Sequence, residues 1–126
     1  MSGTQSFESV RSPAVASLFY PGNPFELQQN VQELLDEASQ DVDLPDDRIL
    51  RALIVPHAGY VYSGSTAAKA YHLLKNYRDV FRRIILLGPA HRVWIQGIAF
   101  PELEAFETPL GRIPLAVTQI LELLRF

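Results

Sequence analysis

Apolar residues recur at helical spacing in the first third of the chain and then gather into unbroken runs in the middle. In NPFELQQNVQELLDEASQ, Leu27, Val31, Leu34, Leu35 and Ala38 share one face of a helix. Asn23 suits the cap and Pro24 the first helical position. Glu26, three residues after the cap, completes a capping-box pattern. DVDLPDD, residues 41–47, breaks the period with Asp and Pro and predicts a loop. The next apolar runs, Ala52–Pro56 (ALIVP) and Arg83–Pro89 (RIILLGP), do not alternate, the pattern of strands buried on both faces of a parallel sheet.

Between those runs lies SGSTAAKAYHLLKNY, a second helix that Ser63 or Ser65 would cap, with Ala67, Tyr71 and Leu74 as its apolar stripe. Strand, helix and strand at this spacing predict a βαβ unit with a right-handed crossover. Gln96–Phe100 (QGIAF) reads as a third strand, Thr108–Gly111 (TPLG) as a turn, and Pro114 as the start of a last helix carrying Leu115, Ile120, Leu121 and Leu124. The expected fold is α/β: a mixed, largely parallel sheet with flanking helices. Three strands are few for a sheet that needs cover on both faces. The expectation is therefore an incomplete half of a larger domain, or pairing with another chain such as a second copy. Residues 1–10 are polar and read as a disordered tail, and residues 11–126 as the domain.

Composition narrows the function classes. The chain has 126 residues, 48% of them hydrophobic, enough for a core. A net charge of −3 gives no nucleic-acid signal. No apolar run is long enough for a membrane helix, and the N-terminus lacks the pattern of a signal peptide. Cysteine is absent, which removes disulfides and thiolate ligands from this stretch and fits a cytoplasmic protein.

Candidate chemistry gathers at the ends of the predicted strands. His57 follows ALIVP directly, and His91 follows the run ending in Gly88 and Pro89. On parallel neighbours, both imidazoles would sit at the carboxyl edge of one sheet, where open α/β sheets bind ligands. Such a pair suits half of a metal site or an acid and base. A lone histidine after a strand is more often a loop residue with a local hydrogen bond, but two at equivalent positions favour a shared site. Gly59 and Gly64 would let the segment between them fold over a ligand, with Tyr60 and Tyr62 supplying hydroxyls, a stacking surface or plain packing. Ser63–Thr66 would lead into a helix whose N-terminal N–H groups face an anion. His72 reads as part of a solvated helix face, and Glu102, Glu104 and Glu107 as a solvated acidic loop.

Four stretches occur in one order: RSPAVASLFYPGNP (Arg11–Pro24), VPHAGYVYSGSTAAKAY (Val55–Tyr71), ILLGPAHR (Ile85–Arg92) and FETPLGRIP (Phe106–Pro114). Together they resemble the Memo family, also called AmmeMemoRadiSam system protein B, over nearly the whole chain. The resemblance implies a fold similar to the class III extradiol dioxygenases, with non-haem iron or copper as cofactor. It implies that His57 and His91 match the family's two histidine metal ligands, with a third ligand, commonly cysteine, from residues not in this chain. Gly59, Tyr60, Tyr62, Ser63 and Arg92 are the candidate substrate-binding residues beside them. Metal-dependent redox activity is the first functional expectation. A non-catalytic binding or adaptor module recognising a peptide or small anion in the same crevice is the second, and work beside a radical-SAM partner the third; a small-molecule or peptide ligand is the expected partner. Two stretches depart from the family pattern: Ser17 stands where AVAG is usual, and Ala90 and Arg92 stand where GPSHH is usual. The latter change removes a hydroxyl and a second imidazole. Arg92 would hold an anionic substrate group or lie exposed.

Overall fold

Asn23 starts the first helix as its sequence predicts. In the computed structural model, α1 spans Pro24–Ala38, and the Asn23 side-chain oxygen accepts the N–H groups of Phe25 at 2.9 Å and Glu26 at 3.1 Å. These bonds satisfy two donors that the first helical turn leaves unpaired. Its polar face carries Gln29–Glu33 and Gln32–Asp36 hydrogen bonds, each four residues apart and 2.9 Å long. The structure describes residues 9–39, 44, 45 and 47–123. Of the expected tail, residues 1–8 lie outside that set, as do residues 41–43 and 46 of the predicted loop. Val10 belongs to a sheet, and the Ser9 carbonyl just before it accepts the Glu104 N–H at 3.0 Å. The described residues form two compact units, one from those between 14 and 82 and one from 9–13 with 83–123.

In the first unit, α2 spans Tyr60–Tyr71 and continues as a 3₁₀ turn over His72–Tyr77. The predicted second helix therefore exists, but it begins three residues before Ser63 and has Gly59 as its cap. Leu27 and Ala38 of α1 are buried with Gly64 and Ala68 of α2. A Cβ placed on Gly64 would stand 3.1 Å from Leu34 Cδ1, so the two helices meet where a side chain is missing. Gly64 has this packing role and no positive φ. Leu50 is buried too, and its N–H donates to the Tyr77 hydroxyl at 3.1 Å. The Tyr77 ring stacks on Phe81 with centroids 5.1 Å apart.

Before α1, residues 15–22 fold into a tight loop. The Leu18 and Phe19 N–H groups donate to Val15 O, and the Ser17 N–H donates to Tyr20 O at 2.8 Å. Ser17 has φ +64, the left-handed region that costs a side-chain-bearing residue about 1–2 kcal/mol. A glycine at this position would adopt it without that cost. A Cβ built on Gly22 would collide with Ser17 Oγ, so the two positions constrain each other.

In the second unit, β1 (Val10–Arg11), β2 (Ala105–Thr108) and β3 (Gly111–Pro114) form a mixed sheet in that order. β1 runs parallel to β2 with Val10 opposite Ala105, and β3 runs antiparallel with Phe106 opposite Ile113. The predicted turn joins β2 to β3. Thr108 Oγ1 accepts the Leu110 N–H and donates to Gly111 O, and Gly111 has φ +131, which suits glycine. The Arg11 guanidinium lies 5.8 Å from the centre of the Phe106 ring. Pro114 ends β3 and does not open a helix; α3 spans Val117–Leu123. Leu124 lies outside the described residues.

The fold is α/β with a mixed sheet, but its strands are not those expected. Residues 52–56, 83–89 and 96–100 carry no strand, so the predicted βαβ unit is not formed, and the sheet has one parallel and one antiparallel pairing. Ile54 is fully exposed, and Ile84, Ile85, Leu86 and Leu87 are each at least 75% exposed. A doubly buried strand needs a neighbour for its N–H and C=O groups and a layer on each face. An apolar run signals the demand for burial and carries no information on which segment meets it. The hairpin wins locally because its two strands need only a two-residue turn.

Two outcomes test this packing. Gly22→Ala should lower stability by about 1–3 kcal/mol through overpacking, and Ser17→Gly should remove most of that loss; urea midpoints of the double-mutant cycle measure the coupling. Gly64→Val should force α1 and α2 apart and lower the melting temperature by several degrees, followed by the helical circular dichroism signal.

Candidate functional site

The segment after Ala52–Pro56 is held from the side of the helix that follows it. Residues 51–57 have no regular structure, and α2 begins three residues beyond His57. The Gly59 cap offers no side chain to the first turn. The backbone takes its place: the Tyr60 N–H donates to Phe19 O at 2.7 Å, while Tyr62 N–H and Ser63 N–H donate to Gly59 O at 2.9 and 3.1 Å. The Gly59 backbone lies against Phe19, where an added Cβ would stand 3.4 Å from Phe19 O. Ser63 Oγ reaches back and donates to Ala58 O at 3.2 Å.

This geometry corrects two expectations. Residues 60–64 are the first turns of a helix and not a loop free to fold over a ligand. Gly59 has φ −55 and ψ 152, a conformation open to any residue, so torsional freedom does not explain it. The N–H groups of Ser63 and its successors lie within the helix, so Ser63–Thr66 do not present the helix N-terminus to an anion. The sequence cue was misleading because two serines near a helix start resemble caps, whereas the Phe19 carbonyl that satisfies this start is remote in sequence.

The candidate residues separate by environment. Tyr60 packs on Tyr20 with ring centroids 5.7 Å apart. Tyr62 is 86% exposed. His57 is exposed in the unit of α1 and α2; His91 and Arg92 are exposed in the unit of the sheet, in a bend after Arg83–Pro89. His72, read as solvated, is half-buried where α2 passes into the 3₁₀ turn. Glu107, read as a loop residue, lies in β2 and pairs with Arg112 of β3 at 3.5 Å. Among the described residues no group of three His, Cys, Asp or Glu side chains comes together to hold a metal ion. The chain's own described donors therefore do not complete a metal site. Among the same residues no helix is long and apolar enough to cross a membrane.

The fold perturbs the ionisation of Tyr60. Burial raises its pKa above 10.0, and the neighbouring Tyr20 and Tyr71 phenols add to the shift. With the folded pKa above the unfolded one, the folded state holds its proton longer. Its stability is then unaffected by this group below pH 10 and falls as pH rises past the unfolded value toward the folded one. Tyr60→Phe should flatten that alkaline loss in melting temperatures measured from pH 8 to 11. An unchanged slope would assign the loss to other groups.

Comparison with known proteins places this arrangement. The family model for Memo-like proteins matches residues 11–125. A MEMO1 family protein of Methanothermobacter thermautotrophicus is 34% identical over 107 residues, covering 82% of this chain and 38% of its own length. A MEMO1 family protein of Aquifex aeolicus is 36% identical over 102 residues, with 81% and 35% covered. A memo-1 homologue of Caenorhabditis elegans is 36% identical over 104 residues, with 82% and 28% covered. The chain thus spans between 28% and 38% of the length of these relatives. With a match that runs through the tight loop, the His57 segment, His91 and the β2–β3 hairpin, the chain belongs to the Memo-like family.

Proposed function

We propose that this chain contributes two imidazoles, those of His57 and His91, to a metal site of a Memo-family protein. Iron or copper is the proposed ion, and redox chemistry the proposed activity. The observation that carries the reading is the family match over residues 11–125, a span that includes both histidines. Further support comes from their setting: each is exposed, outside any helix or strand, and just beyond an apolar run. Neutral imidazole suits either metal, and two histidines with one further donor leave positions open for small ligands. The third donor is proposed to come from residues outside this chain, because the chain has no cysteine and its described residues form no group of three.

Gly59, Tyr60, Tyr62, Ser63 and Arg92 are proposed as substrate-binding residues, and Tyr62 and Arg92 among them are exposed. The exposure of Tyr62 also favours a second reading, in which the same residues recognise a peptide or small anion without turnover. A cytoplasmic setting beside a radical-SAM partner is part of the proposal on the family's terms.

The first reading predicts weak metal binding by this chain, because two protein donors leave the remaining positions to water. Elemental analysis after anaerobic loading with iron(II) or copper(II) should show the metal lost in both His57→Ala and His91→Ala. Metal content equal to that of the unmodified chain in either variant would refute that histidine's role. Loss of metal with retained peptide binding would favour the second reading.

A further inference from the structure

Resting on the reading of His57 as a ligand, we infer that Ser63 is a positioning residue for that imidazole. Residues 51–57 have no regular structure, so no strand ladder fixes the backbone that leads into His57. The residues that follow His57 are held from the helix side. Ala58, the next residue, has its carbonyl bound by Ser63 Oγ at 3.2 Å. The following peptide is held by Phe19, whose carbonyl accepts the Tyr60 N–H at 2.7 Å and whose backbone abuts Gly59.

Ser63 is the side chain in this set. Its hydroxyl lies in the first turn of α2, one helical turn beyond the Gly59 cap, and it reaches back across that cap. The bond ties the Ala58–Gly59 peptide, and through Ala58 the His57–Ala58 peptide that precedes it, to a helix that packs against α1. Rotation of the His57–Ala58 peptide would swing the Cα–Cβ direction of His57, and an imidazole tip lies far enough from its Cα for a small backbone rotation to displace it. Metal sites lose affinity when the groups that orient their ligands are removed, typically by 10–100-fold.

The test compares Ser63→Ala with Ser63→Thr, which keeps the hydroxyl. Three quantities are read: the melting temperature, the imidazole nitrogen–proton correlations of His57 in metal-free protein, and the dissociation constant for copper(II) alone. Alanine favours helix over serine, so helix stability should not fall in Ser63→Ala. The His57 correlations should nevertheless shift or broaden, and copper binding should weaken by about tenfold. Ser63→Thr should restore both. His57 correlations in Ser63→Ala that overlay those of the unmodified chain would overturn the inference, as would a displacement that Ser63→Thr shares. The metal-free spectrum decides this even when copper fails to bind. Such a failure would instead count against the metal reading.

Discussion

The bond from the Tyr60 N–H to the Phe19 carbonyl is the constraint around which the helical unit is arranged. A helix that starts on glycine has no side chain to satisfy its first donors, and a donor left bare under packing costs about 1–3 kcal/mol. The tight loop before α1 supplies the acceptor from about forty residues upstream, a separation that makes the bond tertiary, not local. It explains why that loop tolerates Ser17 in a left-handed conformation: the turn that Ser17 creates aims the Phe19 carbonyl at the helix start. It also links two of the four stretches that carry the family resemblance, those around residues 11–24 and 55–71.

Close approach of the helices is the second consequence. With α2 fixed at its first residue, its small positions Gly64 and Ala68 face α1, and Leu34 reaches into the space the glycine leaves. The buried set is small: Leu27, Ala38, Leu50 and Ala68 are its apolar members among the described residues. Packing here depends on missing side chains more than on large ones, so its specificity lies in shape.

Sequence signals specify structure directly where the physics is local. Asn23, Pro24 and the spacing of Leu27 to Ala38 define α1 because caps and helical periodicity involve only near neighbours. Thr108 to Gly111 defines the hairpin turn for the same reason. Strand positions do not follow from composition, because pairing is a property of two segments. Val10–Arg11 and Ala105–Thr108 are short and unremarkable in composition, yet they find ladder partners, whereas Ile84–Leu87 has the composition of a strand and no ladder. The α2 boundary was missed because its cap is a distant carbonyl. Both histidines follow apolar runs, but the two strands expected to bring them to one sheet edge are not formed; the family was legible from ordered motifs. The Ser63 contact with Ala58 was not, since a hydroxyl reaching back five residues leaves no periodic trace.

The bare stretch Ile84–Leu87 carries a consequence for handling the molecule. Four adjacent branched aliphatic residues with no charge among them are a template for intermolecular β-stacking. Their flanks oppose it: Arg82 and Arg83 place like charges at one end, and Gly88–Pro89 denies the other end a continuous row of donors. Colloidal behaviour should therefore follow ionic strength. Salt that screens the paired arginines would remove the repulsion while leaving the sticky tetrad untouched, so the chain keeps best in dilute buffer.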